Sequence, residues 1–187
     1  MDMDKKPVSY CEVVENLPPD NLHKIYHDTL YGFAVTTDTG LFERLILEIN
    51  QAGLSWNTIL HKKSNFYQAY DDYDIQKIAA YGDSDRQRLL NDAGIIRNRL
   101  KIEAAIYNAQ VILGLQLEFG SFKIWLDQHR GLTRPEWTML FKKTFKFTGG
   151  EIVNEFLVST GYLPGAHVES CSIRKIIENQ KRLDVVV

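Results

Sequence analysis

Apolar side chains recur every three to four positions along most of the chain, the signature of amphipathic helices rather than strands. Between Asp38 and Ala52, Leu41, Phe42, Leu45, Ile46 and Ile49 share one arc. Asp38 or Thr39 is placed to cap the start of this helix and Gly53 to stop it. Ser55 caps a second helix running to about Tyr70, and shorter patterns cover Asp74 to Tyr81 and Ser84 to Ala93, the latter closed by Gly94. The longest pattern runs from Arg97 to Phe119, with Ile102, Ala105, Ile106, Ala109, Ile112 and Leu113 at helical spacing. Thr133-Arg134-Pro135-Glu136 opens a further helix, proline being tolerated in a first turn, and Glu151 to Thr160 follows with Gly161 as its stop. The pattern predicts an all-α chain forming a single domain over residues 8–181, with flexible ends at 1–7 and 182–187.

A chain of 187 residues is long enough to bury a substantial core. It lacks a run of about 18 apolar residues, which excludes a membrane-spanning helix from the expectation. The start, MDMDKKPVSY, has no apolar stretch of the secretory type, and there are only two cysteines. A cytoplasmic protein with reduced thiols is therefore expected, with a monomer as the default state. With 22 Lys and Arg against 24 Asp and Glu, the net charge of −2 argues against bulk electrostatic attachment to nucleic acid. A few local contacts remain compatible with it. Basic residues gather at His61-Lys62-Lys63, at Arg97, Arg99 and Lys101, at Lys142, Lys143 and Lys146, and between Arg174 and Arg182; each group also suits a solvated helix face.

Both cysteines have a histidine near them: Cys11 precedes His27, and His167 precedes Cys171 by four positions, one helical face if the segment is helical. Two accounts fit this spacing, a single Cys2His2 zinc site or two buried thiols beside unrelated histidines. Glu48 falls at the edge of the apolar arc, near Leu41, Leu45 and Ala52, where a carboxylate is costly unless partnered. It is either a core carboxylate that finds a partner or the wall of a pocket floored by Trp56. Between the two helices, Gly53 and Leu54 make a tight turn with leucine at its tip, a suitable wedge for a base stack.

Tyr26-His27-Asp28, the run from Glu48 through Gln51-Ala52-Gly53-Leu54-Ser55-Trp56, and Asp92-Ala93-Gly94-Ile95-Ile96-Arg97 together resemble the 3-methyladenine DNA glycosylase I family. Phe145-Lys146-Phe147-Thr148-Gly149 and the closing His167 and Cys171 extend the resemblance in order to nearly the whole chain. The resemblance implies an all-α fold of the helix-hairpin-helix glycosylase superfamily. It also implies one structural Zn2+ held by Cys11, His27, His167 and Cys171, joining the N- and C-terminal segments. The implied reaction is hydrolysis of the N-glycosidic bond of 3-methyladenine in double-stranded DNA, with base flipping and release of the free base. Glu48 would accept hydrogen bonds from the adenine edge, Trp56 would stack on the cationic ring, and Tyr26 and Asn50 would complete the substrate-binding set. Leu54, on Gly53, would wedge the duplex, and Lys146, Gly149 and Gly150 would hold its backbone. Four protein ligands leave no open position on the metal, which argues against a zinc hydrolase.

Several positions depart from the family pattern. Val13 stands where an aromatic residue usually lines the pocket, Ile49 where the residue is small, and Asn50 where glutamine is frequent. Tyr31 replaces a tryptophan, Thr144 a glycine, and the segment from Trp125 to Thr144 is short. An active glycosylase is the main expectation; the alternative these departures raise is a relative that binds alkylated or distorted DNA without excising the base.

Overall fold

The structure, a computed structural model, describes residues 9–184. Eleven α-helices lie among them, with no strand: α1 (Tyr10–Glu15), α2 (Leu22–Thr29), α3 (Asp38–Gln51), α4 (Trp56–Ala69), α5 (Ile75–Ala79), α6 (Asp83–Asn91), α7 (Arg99–Phe119), α8 (Phe122–Gln128), α9 (Arg134–Thr144), α10 (Gly150–Ser159) and α11 (Ser172–Asp184). No helix of the described residues is long and apolar enough to cross a membrane. The contacts divide into two compact units, one drawn from Met1–Ala34 and Val158–Val187, the other formed by Val35–Leu157. Of the ends expected to be flexible, residues 1–7 and 185–187 lie outside the described residues, while the backbone of 182–184 continues α11.

Within the unit Val35–Leu157, α7 is the axis. It is about 32 Å long at 1.5 Å per residue, and Ile102, Ala105, Ile106, Ala109 and Ile112 are all buried. Helices α3, α5, α6 and α8 pack on it. A second cluster is aromatic: Phe122, Phe141, Phe145 and Phe156 meet with ring centroids 5.2–6.4 Å apart, and Trp125 and Trp137 flank them. Rings in such tilted and offset contacts add a little to the free energy of burial itself.

The helix starts follow local chemistry. Ser55 accepts from the Thr58 amide, and Thr133 and Glu136 form a reciprocal capping box. The cap of α3 is Thr37, which accepts from Gly40, and neither Asp38 nor Thr39 serves. Asp38 instead reaches across the fold: its carboxylate accepts from the amides of Phe122 and Lys123, both at 2.9 Å, and from Gln116 Nε2 at 2.7 Å. One carboxylate thus sits in the first turn of α3 and satisfies the exposed amides at the start of α8.

In the other unit, Gly32 passes close to the C-terminal segment. Its φ is +79°, and a Cβ there would lie 2.6 Å from Ala166 Cβ and 3.3 Å from the His167 ring. His167 and Cys171 do not share a helix. They lie in the irregular segment before α11, where Cys171 N bonds to Val168 O at 3.0 Å, so their side chains converge through a turn.

Asp38→Ala removes three charge-assisted hydrogen bonds, and the loss expected in urea unfolding is about 2–3 kcal/mol. An unchanged midpoint and slope would show that the start of α8 is held by packing alone.

Candidate functional site

In the unit built from the chain ends, four ligand atoms converge. His27 Nε2 lies 3.3 Å from Cys11 Sγ and 3.1 Å from His167 Nδ1. Cys171 Sγ lies 3.5 Å from His167 Nδ1 and 3.9 Å from His27 Nε2, and Cys11 Sγ lies 3.7 Å from His167 Nδ1. A tetrahedral ion bound about 2.3 Å from sulfur and 2.0–2.1 Å from nitrogen spaces its donors about 3.3–3.8 Å apart, so this set can hold a metal ion. The free ring nitrogens are also placed. His27 Nδ1 meets Asp28 Oδ1 at 2.7 Å and His167 Nε2 meets the Tyr31 carbonyl at 2.8 Å, partners that fix tautomer and ring plane. Burial, ahead of nearby charges, lowers the His167 pKa, which favours the neutral ligand form.

Tyr26, buried one position before His27, packs against Tyr31 at 5.7 Å. Tyr31 also meets Tyr10 and His167, so the residue that replaces a tryptophan remains part of an aromatic wall around the cluster. Val13 is 52% exposed.

In the unit Val35–Leu157, Glu48, Asn50, Gly53, Leu54 and Trp56 fall together at the end of α3, its turn and the start of α4. Glu48 is 4% exposed. Burial first, and the Glu155 carboxylate second, push its pKa up to about 8, against the pull of the Arg44 guanidinium. Arg44, one helical turn earlier and also buried, gives this carboxylate its cationic neighbour. Asn50 spends its amide on the Ile46 carbonyl at 2.8 Å, and its Oδ1 has no partner among the described residues. Ile49 is fully taken up by the core, so a larger residue at this position is absorbed by packing.

Gly53 has φ of +81°, a conformation that side chains rarely adopt, and it turns the chain so that Leu54 stands 40% exposed. Gln51 braces the turn twice: its carbonyl accepts from Leu54 N at 2.7 Å, and its Nε2 donates to Leu54 O at 3.1 Å. Trp56 then opens α4 half-buried.

Gly150 opens α10, and Lys146 and Gly149 lie on the connection between α9 and α10. Thr148 is buried there and donates to the Phe141 and Phe145 carbonyls at 3.1 and 3.2 Å. The left-handed residue of this loop is Phe147, with φ of +60°, whereas Gly149 has open space around its Cβ position. Asn108 clamps the Lys146 backbone, accepting its N–H at 2.8 Å and donating to its carbonyl at 3.1 Å. Lys146 Nζ sits 4.0 Å from the Tyr107 ring centroid.

Gln51, Asn108 and Lys101 all brace this site, a role that sequence reasoning assigns to none of them, Gln51 being noted only as part of a motif. Lys101 looked like part of a solvated basic group, yet it is buried and donates to the Asn50 and Ala52 carbonyls. The available signal was position: Lys101 and Asn108 fall four before and three after Ala105, on the buried arc.

The arrangement has counterparts. A profile of the methyladenine glycosylase family matches residues 16–136. DNA-3-methyladenine glycosylase 1 of Escherichia coli (strain K12) is 35% identical over an alignment of 171 residues that covers 81% of this chain and 91% of that protein. A structure of 3-methyladenine DNA glycosylase I from Staphylococcus aureus, solved for its recognition of 3-methyladenine, superposes with a TM-score of 0.75 at 31% identity, covering 83% of this chain and 93% of that one. A tyrosine-to-phenylalanine variant of 3-methyladenine DNA glycosylase I in complex with 3-methyladenine gives 0.77 at 30% identity, covering 83% and 94%. With a profile matched over most of its length and a relative aligned almost end to end, the chain belongs to the methyladenine glycosylase family.

Proposed function

We propose that this chain is a monofunctional DNA repair glycosylase that excises 3-methyladenine from alkylated double-stranded DNA and so initiates base excision repair. The observation that carries the reading is the buried Glu48 carboxyl, separated from the half-buried Trp56 only by a turn that exposes Leu54. Residues 8–181 act as one glycosylase domain of the helix-hairpin-helix type, monomeric and cytoplasmic.

Alkylation at N3 makes the base a cation and a good leaving group. The C1′–N9 bond breaks with its electron pair moving onto the base, which becomes neutral. Water adds to C1′ and gives its proton to solvent. The protein's task is selection and positioning. A buried carboxyl with a raised pKa is costly to ionise, and a cationic base beside it returns that cost. Neutral adenine does not. Glu48 accepts from the exocyclic amine, an indole face such as Trp56 stabilises a cation by about 1–2 kcal/mol when water is excluded, and Tyr26 serves as the base-contacting tyrosine. Asn50, with its oxygen unspent, offers a further acceptor. Leu54 fills the space left in the duplex, and the loop bearing Lys146, Gly149 and Gly150 grips the backbone through amides at the start of α10. That mode needs few charges, in keeping with a net charge of −2.

The Cys2His2 cluster fits Zn2+ by its donors, spacing and hydrogen-bonded histidines. With four protein ligands its part is structural, fixing the segment that carries Tyr26.

Methylated duplex DNA incubated with the wild-type chain is expected to yield free 3-methyladenine over many turnovers, resolved by chromatography. Glu48→Gln is expected to cut release by about 10- to 100-fold, the worth of a hydrogen bond to a charged group. Retention of damaged duplex in a gel without alkali-sensitive abasic sites would identify a binding module instead.

The raised pKa also sets a pH dependence. Glu48 keeps its proton to about pH 8 when folded and to about 4.5 when unfolded. Its contribution to stability is greatest below the lower value and falls as pH rises through the higher one. Denaturation from pH 5 to 9 should show this slope in the wild type and a flatter one in Glu48→Gln. Wild-type kcat/KM for excision should climb over the same range, as the carboxylate forms.

Elemental analysis is expected to find one zinc per chain. Chelation, or His167→Ala, should lower the melting temperature by about 10 °C or more, as loss of a structural metal does. Full stability without metal would leave the cluster as packed thiols and imidazoles.

A further inference from the structure

Lys101 is 4% exposed, and its ammonium is committed to a helix end. Nζ donates to Asn50 O at 2.8 Å and to Ala52 O at 2.7 Å, carbonyls of the last turn and cap of α3. A cation there answers both the unpaired carbonyls and the negative end of the helix dipole. Ala52 directly precedes the Gly53–Leu54 turn. The same Nζ lies 5.9 Å from the ring centroid of Phe147, the exposed left-handed residue of the α9–α10 loop. Seven residues further along α7, on the same face, Asn108 holds both backbone groups of Lys146. One helix therefore registers two exposed loops, from points about 10 Å apart along its axis.

An ordinary buried lysine satisfies core carbonyls and ends there. Lys101 differs in that its carbonyl partners end the helix leading directly into the Gly53–Leu54 turn, while its ring contact, Phe147, lies in the α9–α10 loop, the two exposed segments assigned above to the duplex. We propose that Lys101 is a positioning residue that couples the Gly53–Leu54 turn to the Phe147 loop, so that wedge insertion and backbone grip occur as one event. The inference rests on the reading of Leu54 as wedge and of the α9–α10 loop as the backbone grip. The proposal gives Lys101 no phosphate contact, since two of its three donors already bond to backbone carbonyls.

The test is binding of a duplex containing a tetrahydrofuran abasic analogue, by anisotropy across a salt series, for wild type, Lys101→Met, Lys101→Arg, Leu54→Ala and the Lys101→Met/Leu54→Ala double variant. Lys101→Met is expected to weaken binding about tenfold with the salt slope unchanged, while affinity for free 3-methyladenine stays within twofold. Lys101→Arg, which keeps the donors and the cation, should recover most of the loss. In the double variant the two losses should not add, as befits one coupled device. A slope reduced by about 1 would make Lys101 a phosphate contact and overturn the proposal. Unchanged duplex binding, additive losses or an equal loss of free-base affinity would also overturn it. Amide hydrogen exchange separates this inference from the functional reading. If wild type fails to bind or excise, the glycosylase reading falls, and the coupling stands only if Lys101→Met speeds exchange in residues 51–55 and 146–149 together.

Discussion

A helix that ends inside a protein leaves its last carbonyls facing a medium poor in donors, and the rest of this site depends on how α3 meets that constraint. The answer is an ammonium from α7. With its end fixed, α3 gives Gln51 a rigid base from which to brace the turn and lets Gly53 direct Leu54 outward, while Glu48 is held within the helix body by burial among its neighbours. Trp56 follows as the first residue of α4, its start capped by Ser55. The pocket and the wedge proposed above thus share one short stretch of backbone, and the order of its residues follows from the order of those local demands.

The same site shows two uses of buried charge. Lys101 is paired with two backbone carbonyls and faces the Phe147 ring, and it serves the scaffold. Glu48, flanked by Arg44 and Glu155, is left with its pKa high. An ionisable group kept short of full compensation is a poor contributor to stability and a good detector of a cationic ligand. Structure and recognition are in this way divided between two side chains that lie close in the fold.

What the sequence disclosed follows the range of the interactions involved. Helices α3, α4, α7 and α9 were legible because their periodicity is long and their caps are local, as at Ser55 and at Thr133 with Glu136. Helices α1, α2 and α8 are six to eight residues long, too short to display a period, and α11 is polar around much of its surface. The expected helical face for His167 and Cys171 is a turn, because convergence on a shared center replaces helical spacing as the reason the two side chains meet. Asp38 was read as a cap for its own helix, yet its partners are about 80 residues away, a distance that no local pattern reports. Glu48 stood out because a carboxylate on an apolar arc is anomalous. Lys101 and Asn108 are anomalous in the same way, but one was masked by nearby arginines and the other by its small size.

The Cys2His2 cluster also has a history written into the chain order. His27 and His167 are separated by 140 residues. At roughly 5–20 residues per second of synthesis, His27 leaves the ribosome about 7–28 seconds before His167, and Cys11 precedes both. For that interval half a ligand set, including a thiol, is exposed to whatever oxidants and loosely held metals surround it. An ion held by all four side chains would therefore bind only after both pairs exist, closing the cluster rather than seeding the fold.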